Sequence, residues 1–312
     1  MSTKIPLLVL NSLSSAHQAQ IAEVYDMTYA FDPAARAAAI AEHGKKFRAV
    51  LTIGVIGITP EEIAAMPALE LVCCMGAGYE GVPLDVTRAR GIATANGAGT
   101  NDDCVADHAF GLLISIVRGF RQLDRLCREG VWREEIPQPP NVSGKKLGIL
   151  GLGTIGHKIA RRAAAFDMEV GYHNRKPRDG ATQRYFGDLK SLATWADFLI
   201  LAAPGGPATR HLVNAEILDA LGPQGYLVSI GRGSVVDTEA LAAALRENRI
   251  AGAGLDVYES EPKRPEPLVG LDNVLLTPHM AGWSPEATQK SVDHFLANAE
   301  GHFAGRGVLT PV

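Results

Sequence analysis

Three short segments in the second half of the chain carry side chains that could act together on a small organic acid. One places Arg232 between two glycines at the end of an apolar run, in what we expect to be a flexible and exposed turn. A second contains the carboxylates Asp256, Glu259 and Glu261, and a third places His279 directly after a proline. Each segment follows a predicted strand, and ligands bind outside the carboxyl ends of such strands.

These residue types fit the reduction of a 2-oxo acid. Hydride transfer to the carbonyl carbon leaves negative charge on its oxygen, which then needs a proton. Histidine can give that proton near neutral pH, and a neighbouring carboxylate keeps the imidazole protonated. The guanidinium of Arg232 can bind the substrate carboxylate and polarise its carbonyl. The residues alone do not show whether Glu261 or Glu259 is the partner of His279. The alternatives to a catalytic role are a structural role for His279 and a surface position for Arg232.

A glycine-rich turn, Gly151-Leu152-Gly153-Thr154-Ile155-Gly156, indicates where the hydride donor would bind. It follows the apolar run 145–150 and opens an Ala-rich segment, 154–166, which predicts a strand, a turn and a helix. In that setting the first glycine permits a tight turn, the second admits a pyrophosphate and the third lets helix and strand pack closely. The phosphates would bind at the N-terminus of the helix. The alternative is an ordinary glycine-rich turn of an α/β protein.

The residues after the second strand of this unit favour NADP over NAD. A site for NAD usually carries Asp or Glu about twenty residues after the first glycine. This chain instead has the segment 173–178, which contains no carboxylate. Arg175 and Lys176 would attract a 2′-phosphate, which a carboxylate would repel. NAD is possible as well, and a solvated basic loop is the alternative without a cofactor role.

Composition limits the class of protein. The 312 residues suffice for two domains, and a hydrophobic content of 46% supports sizeable cores. A net charge of −4 gives no sign of nucleic-acid binding, and neither a signal-peptide pattern nor an apolar run of membrane-spanning length occurs. The four cysteines lack zinc-ligand and C-x-x-C spacing, so we expect reduced thiols, no metal site and a cytoplasmic location.

Alternation of apolar strands with helical stretches predicts parallel sheets covered by helices. One long helix is predicted over 101–129, and an extended connection over 136–140. Further helices are expected at 33–42 and 284–303. The predicted strands are Ile5–Leu10, Ala49–Ile53, Leu69–Met75, Gly91–Thr94, Lys145–Leu150, Met168–Tyr172, Phe198–Leu201, Tyr226–Ile230, Ala253–Val257 and Val274–Leu276.

The last predicted helix has no sheet of its own, so we expect it to pack back on the first domain. This predicts a discontinuous substrate domain, residues 1–100 plus 283–312, and a dinucleotide-binding domain, residues 101–282. Two crossings between domains make a natural hinge, with the active site expected in the cleft. The predicted architecture is α/β, with two doubly wound parallel-sheet domains: a Rossmann cofactor domain inserted in a smaller flavodoxin-like substrate domain.

The combination and order of these motifs resemble the D-isomer-specific 2-hydroxyacid dehydrogenases over essentially the whole chain. Within that family, the chain looks most like the NADPH-preferring glyoxylate/hydroxypyruvate reductases. The segments that carry the resemblance are 151–156, 229–233, 255–262, 277–279, 74–81 and 309–312.

The resemblance implies roles that the residues alone do not. It implies that His279 is the proton donor, that Glu261 is its carboxylate partner and that Arg232 binds the substrate. Trp283 stands where relatives usually carry a small or hydroxyl residue, so it either lines the substrate pocket or packs at the hinge. His108, within the long predicted helix, is expected to be structural.

The same resemblance extends to the cofactor and to the substrate carboxylate. The backbone N–H groups of Ala77, Gly78 and Tyr79 would hold that carboxylate, and Asp256 would lie near the nicotinamide. The predicted cofactor contacts are Gly151, Gly153, Thr154, Ile155, Gly156, Asn174, Arg175, Lys176, Arg178, Pro204, Ile230, Gly231, Asp256, His279 and Gly282.

The sequence therefore predicts an NADP-dependent reductase of small 2-oxo acids, such as glyoxylate or hydroxypyruvate. Trp132 follows Gly130 in a segment that resembles the family's dimer arm, so a homodimer is expected, without nucleic-acid or membrane partners. One alternative is an oxidoreductase for another acid, such as phenylpyruvate or phosphoglycerate. A different class of alternative is a dinucleotide-sensing binding protein on the same fold, like the family's transcriptional corepressors.

Overall fold

The computed structural model describes residues 4–312, whose strands form two parallel sheets. The strands are β1 (Ile5–Val9), β2 (Tyr25–Tyr29), β3 (Ala49–Ile53), β4 (Leu71–Met75), β5 (Ala93–Ala95), β6 (Lys146–Leu150), β7 (Glu169–His173), β8 (Arg184–Tyr185), β9 (Phe198–Leu201), β10 (Tyr226–Ser229), β11 (Gly252–Leu255) and β12 (Val274–Leu276). The α-helices are α1 (Ser15–Val24), α2 (Pro33–His43), α3 (Pro60–Ala65), α4 (Leu84–Ala89), α5 (Asp102–Arg118), α6 (Phe120–Arg128), α7 (Thr154–Ala164), α8 (Leu189–Trp195), α9 (Ala215–Leu221), α10 (Thr238–Arg246) and α11 (Pro285–Phe303). The predicted α/β class is confirmed.

The chain divides into two compact units. The first comprises the described residues up to Asn101 together with Gly282–Val312, and the second comprises Asp102–Ala281. That the first unit binds the substrate and the second unit binds the cofactor stays a prediction. Within the described part of the chain, no helix is both long and apolar enough to cross a membrane, and no cluster of His, Cys, Asp and Glu could hold a metal ion.

The first unit contains a five-stranded sheet in the order β2-β1-β3-β4-β5, and all its pairs are parallel. Its central strands are continuous apolar runs because helices cover both faces. Helix α11 contributes Val292, Phe295 and Ala299 to the core on one face, where they join buried side chains of β1, β3 and β4. Ser284 caps this helix by accepting the N–H of Ala287.

The second unit contains a seven-stranded parallel sheet in the order β12-β11-β10-β9-β6-β7-β8. The strand order reverses between β6 and β9, and ligands of open α/β sheets bind at the carboxyl ends of the strands beside such a reversal. Helices α5 and α7 bury apolar side chains on one face, and α8, α9 and α10 bury theirs on the other. Helices therefore cover both faces of this sheet.

Three local predictions were wrong or incomplete. The helix predicted over 101–129 is two helices, because Gly119 adopts a left-handed φ of 66° that ends α5 at Arg118. Strand β2 was missed because its sequence, YDMTY, is largely polar and it lies at an edge of its sheet. Strand β8 was missed because it has only two residues.

Main-chain crowding fixes the turn that contains Arg232. A β-carbon on Gly231 would lie 2.4 Å from the carbonyl oxygen of Ala203, and one on Gly233 would lie 1.9 Å from the carbonyl carbon of Tyr258. The segments that follow β9, β10 and β11 therefore touch through their backbones. The expected exposed setting for Arg232 was wrong, because the glycines permit close packing and Arg232 is half-buried.

We expect Gly233→Ala to destabilise the second unit, because the added β-carbon meets main chain and not a movable side chain. Overpacking of this kind costs roughly 3 kcal/mol. For a unit of this size, the loss lowers the apparent melting temperature by roughly 6–12 °C, which differential scanning calorimetry can measure. Gly187→Ala is the matched control, because its β-carbon would meet nothing within 4 Å. An equal fall in both variants would contradict the crowding argument.

Candidate active site

An imidazole–carboxylate pair lies at the ends of β11 and β12. Nδ1 of His279 is 2.7 Å from Oε2 of Glu261, and Oε1 of Glu261 accepts the backbone N–H of Tyr258, also at 2.7 Å. The two side chains are 39% and 27% exposed, so the pair is partly shielded but accessible. Because Glu261 holds Nδ1, Nε2 is the ring nitrogen that can face a substrate.

The surroundings of the pair favour the charged form of both side chains. The hydrogen bond to Glu261 raises the pKa of His279, and the charges of Glu261 and Asp256 act in the same direction, against burial and Arg232. Burial alone would raise the pKa of Glu261, but hydrogen bonds from His279 and Tyr258, with the charges of His279 and Arg232, hold it below its ordinary value. The arrangement therefore favours the protonated imidazole.

Glu259 lies two residues from Glu261 but belongs to a different cluster. Its Oε1 is 2.7 Å from Nε2 of His211, and its Oε2 accepts the hydroxyl of Thr238 at 3.0 Å. Burial alone would raise the pKa of Glu259, but these hydrogen bonds lower it. The structure thus brings Glu261, and not Glu259, to His279, a choice that spacing in the sequence could not make.

Arg232 is packed close to this pair. The β-carbon position of Gly205 lies 3.1 Å from Cγ of Arg232, so the loop after β9 packs against the stem of the arginine. Its guanidinium donates to the carbonyl of Gly231 at 2.7 Å. The positive charge of Arg232 acts on both His279 and Glu261. A guanidinium, an imidazole with a raised pKa and a carboxylate therefore share one end of the sheet.

Asp256 is fully buried between β11 and the segment that carries His279. Its carboxylate accepts the hydroxyl of Thr277 and the backbone N–H groups of Met280 and Ala281. Burial alone would raise its pKa, but hydrogen bonds from His108, Thr277 and the two backbone groups lower it. The carboxylate is thus engaged within the protein, and its predicted place beside the nicotinamide stays a prediction.

The glycine-rich turn after β6 has the shape that a diphosphate requires. Gly151 adopts a φ of 98°, and a β-carbon on Gly156 would lie 2.2 Å from the carbonyl oxygen of Gly151. The β-carbon position of Gly153, by contrast, meets nothing within 4 Å. No side chain caps the start of α7, so its first-turn N–H groups, at Thr154 and Ile155, can serve an anion. The residues present fit the predicted dinucleotide.

Two of the predicted cofactor residues support this turn from outside. Oδ1 of Asn174 accepts the N–H of Leu152 at 2.8 Å, and the guanidinium of Arg178 donates to the carbonyl of Leu152 at 2.7 Å. Arg175 and Lys176, in contrast, have exposed side chains. Among the other predicted contacts, Ile230 is buried, and Pro204 is exposed and accepts the hydroxyl of Thr209 through its carbonyl.

The remaining predicted residues belong to the first unit. The loop after β4 contains Ala77, Gly78 and Tyr79, and the amide of Asn96 donates to the carbonyl of Ala77 at 2.8 Å. Trp283 follows Gly282 directly before α11 and is 70% exposed. The part that these residues play in substrate binding stays a prediction.

The sequence placed Thr277 in the motif 277–279 and predicted a structural role for His108, but it did not relate the two residues. Nε2 of His108, on α5, is 2.9 Å from Oγ1 of Thr277. No sequence motif relates two residues so far apart in the chain. They come together only because α5 packs against β12 in the folded protein.

Known proteins are similar to this chain in sequence and in fold. A family model described as "D-isomer specific 2-hydroxyacid dehydrogenase, NAD binding domain" matches residues 110–281. A hydroxyphenylpyruvate reductase of Plectranthus scutellarioides is 39% identical over 88% of each chain. A glyoxylate/hydroxypyruvate reductase of Arabidopsis thaliana is 35% identical over 99% of each chain.

Solved structures agree with these relatives. The NADPH-dependent glyoxylate/hydroxypyruvate reductase of Sinorhizobium meliloti, in complex with NADP and malonate, is 36% identical to this chain. It matches with a TM-score of 0.90 and covers 99% of this chain and 97% of its own. A 2-hydroxyacid dehydrogenase from Ketogulonicigenium vulgare Y25 matches with a TM-score of 0.91 at 36% identity, over 99% of this chain and 98% of that one.

Replacing Glu261 by Gln should lower the pKa of His279. The hydrogen bond and the charge of Glu261 raise that pKa above 6.5, so the imidazole of the unmodified protein keeps its proton to a higher pH. Without the charge, the proton should leave at a lower pH. A pH titration of the ring signals by NMR measures the shift, with His279→Asn to assign the resonance. Glu259→Gln is the control, and an equal shift there would refute the specific pairing.

Proposed function

The chain belongs to the D-isomer-specific 2-hydroxyacid dehydrogenases, a family of oxidoreductases, and we propose that it reduces small 2-oxo acids, glyoxylate and hydroxypyruvate, with NADPH. The observation that carries the proposal is the bond between His279 and Glu261 at the carboxyl ends of the seven-stranded sheet. A charged imidazole held there can protonate a substrate oxygen. The names of the Arabidopsis and Sinorhizobium relatives support the choice of acids.

In the proposed reaction, a 2-oxo acid becomes a 2-hydroxy acid by gaining a hydride at carbon and a proton at oxygen. When bound, the reduced nicotinamide supplies the hydride. His279 donates its Nε2 proton to the carbonyl oxygen as negative charge develops there. Glu261 keeps the imidazole charged and oriented before the transfer. Arg232 binds the substrate carboxylate and stabilises the charge on the oxygen.

The cofactor would be held by the turn after β6 and by the basic loop after β7. The open space at Gly153 and the N–H groups at the start of α7 suit the pyrophosphate. Arg175 and Lys176 would bind the 2′-phosphate, since both side chains are exposed and no carboxylate lies in the segment 173–178. The presence of NADP in the Sinorhizobium complex supports this choice over NAD.

A second candidate function is the reduction of a bulkier 2-oxo acid with an aromatic tail. It is favoured by the exposed indole of Trp283, four residues after His279. An aromatic side chain of this size can stack against a substrate ring. The name of the Plectranthus relative, a hydroxyphenylpyruvate reductase, points in the same direction.

We also propose that the protein is a cytoplasmic homodimer. Helix α6 has no buried residue, and Phe120 and Trp132 are large exposed side chains at its start and just beyond its end. Large aromatic side chains are enriched at protein interfaces. Cys73 and Cys74 are buried free thiols, which suits a reducing compartment.

Initial rates of NADPH oxidation with glyoxylate, hydroxypyruvate, pyruvate and phenylpyruvate test the function. We expect turnover of the two small acids, slower rates with NADH, and a loss of about 10²–10⁴-fold in kcat for His279→Ala with cofactor binding retained. Turnover of phenylpyruvate alone would support the second candidate. Tight cofactor binding without turnover of any acid would contradict the proposal and favour a dinucleotide-sensing protein.

Arg175→Ala and Arg178→Ala should separate 2′-phosphate binding from support of the turn. Arg175→Ala should raise the NADPH KM about 10- to 100-fold, the effect of losing charge-assisted bonds of about 1.5–3 kcal/mol, and leave the NADH KM unchanged. Arg178→Ala should raise both KM values by similar factors, because it loses the bond to Leu152. Steady-state kinetics with both cofactors measure this, and equal effects of Arg175→Ala on both would refute the 2′-phosphate assignment.

A further inference from the structure

The segment that carries His279 is held by a buried carboxylate. Oδ1 of Asp256 accepts the N–H of Met280 and Oδ2 accepts that of Ala281, each at 2.8 Å. The backbone carbonyl of Asp256 accepts the N–H of His279 at 2.9 Å. His279 itself has a left-handed φ of 55°, which is uncommon for a residue with a β-carbon. Such a conformation persists only where its surroundings hold it.

A further residue completes the shell around Asp256. The hydroxyl of Thr277 donates to Oδ1 of Asp256 at 2.6 Å, so its proton is committed to that bond. Nε2 of His108 lies 2.9 Å from the same hydroxyl oxygen and 3.5 Å from Oδ1 of Asp256. Since the threonine proton points to the carboxylate, Nε2 of His108 must be the donor. Helix α5 is thereby linked through Thr277 to Asp256.

We propose that His108 is a positioning residue for His279: by donating to Thr277, it completes the hydrogen bonds around Asp256 and keeps the segment 277–281 in its catalytic geometry. The proposal rests on the proposed role of His279 as proton donor. His108 does not touch the imidazole of His279. The charged groups that act on that imidazole are Glu261, Asp256 and Arg232. His108 therefore acts on where the proton is delivered and not on whether it is present.

The link has a direct consequence for rate. Proton transfer requires Nε2 of His279 to lie within hydrogen-bond reach of the substrate oxygen, and small displacements of a catalytic group cost large factors in rate. Loss of the His108 donor removes one hydrogen-bond partner from the hydroxyl of Thr277 and one neighbouring donor from the carboxylate of Asp256. Movement of the segment should then reduce kcat more than it affects cofactor binding.

Two substitutions of His108 distinguish its hydrogen bond from its bulk. His108→Phe removes the donor, and we expect kcat to fall about 10-fold while the NADPH KM changes less than twofold. His108→Gln retains an N–H at a similar reach, and we expect kcat within about threefold of the original. The pH midpoint of kcat/KM should stay in place in both variants. His43→Phe, at a half-buried histidine of α2 in the first unit, is the control.

Equal losses of kcat in His108→Phe and His108→Gln would overturn the proposal. A shift of the pH midpoint as large as that in Glu261→Gln would overturn it as well.

A double-mutant cycle with Thr277→Val is a second test of the proposal. Nε2 of His108 lies closer to the hydroxyl of Thr277, at 2.9 Å, than to Oδ1 of Asp256, at 3.5 Å, so most of the effect of His108→Phe should be absent in that background. Additive losses would show that His108 does not act through Thr277. Thr277→Ser, which keeps the hydroxyl, should behave like the unmodified protein.

A measurement without substrate separates this inference from the proposed function. Hydrogen exchange at the N–H groups of Met280 and Ala281, followed by mass spectrometry of the peptide, reports directly on the Asp256 bonds. Exchange should accelerate in His108→Phe and return to its original rate in His108→Gln. Unchanged exchange in His108→Phe would overturn the positioning role even if the protein reduces 2-oxo acids. Absent turnover with accelerated exchange would instead overturn the function and leave the link intact.

Discussion

In-register pairing of parallel strands is the constraint on which the candidate site depends. Leu201 at the end of β9, Ser229 at the end of β10, Leu255 at the end of β11 and Leu276 at the end of β12 are paired across the sheet. The residues that follow these ends therefore emerge at one level. The arginine turn, the carboxylate segment and the histidine segment meet because hydrogen-bonded ladders end together, although they are distant in the sequence.

The crowding of these strand ends then fixes the side chains. Glycines on both sides of Arg232 let the neighbouring backbones touch, so the arginine stem has little freedom. The same crowding separates two nearby carboxylates: Glu261 faces His279, and Glu259 faces His211 and Thr238. Each carboxylate has hydrogen-bond donors that offset its partial burial. A charged pair can thus exist at the sheet edge without a buried charge that lacks a partner.

The sequence was sufficient for the class of fold and for most strands, because buried parallel strands such as FLIL at 198–201 are continuous apolar runs. It identified the segments that carry His279, Glu261 and Arg232 because each follows such a run. It could not separate Glu261 from Glu259, since their orientation depends on backbone that other segments hold in place. It also gave no sign of the link from His108 to Thr277, which exists only after α5 packs on the sheet.

The short loop after β7 contains two kinds of residue. Asn174 and Arg178 hold the glycine-rich turn in place, whereas the two residues that follow Asn174 do not. Asn174 and Arg178 are both tied to Leu152, so their substitution disturbs the turn itself. Arg175 and Lys176 stand between them with exposed side chains and can vary without loosening that support. If these two positions choose the coenzyme as proposed, single substitutions there could change that choice over evolution while the hydrogen bonds that hold the turn are inherited unchanged.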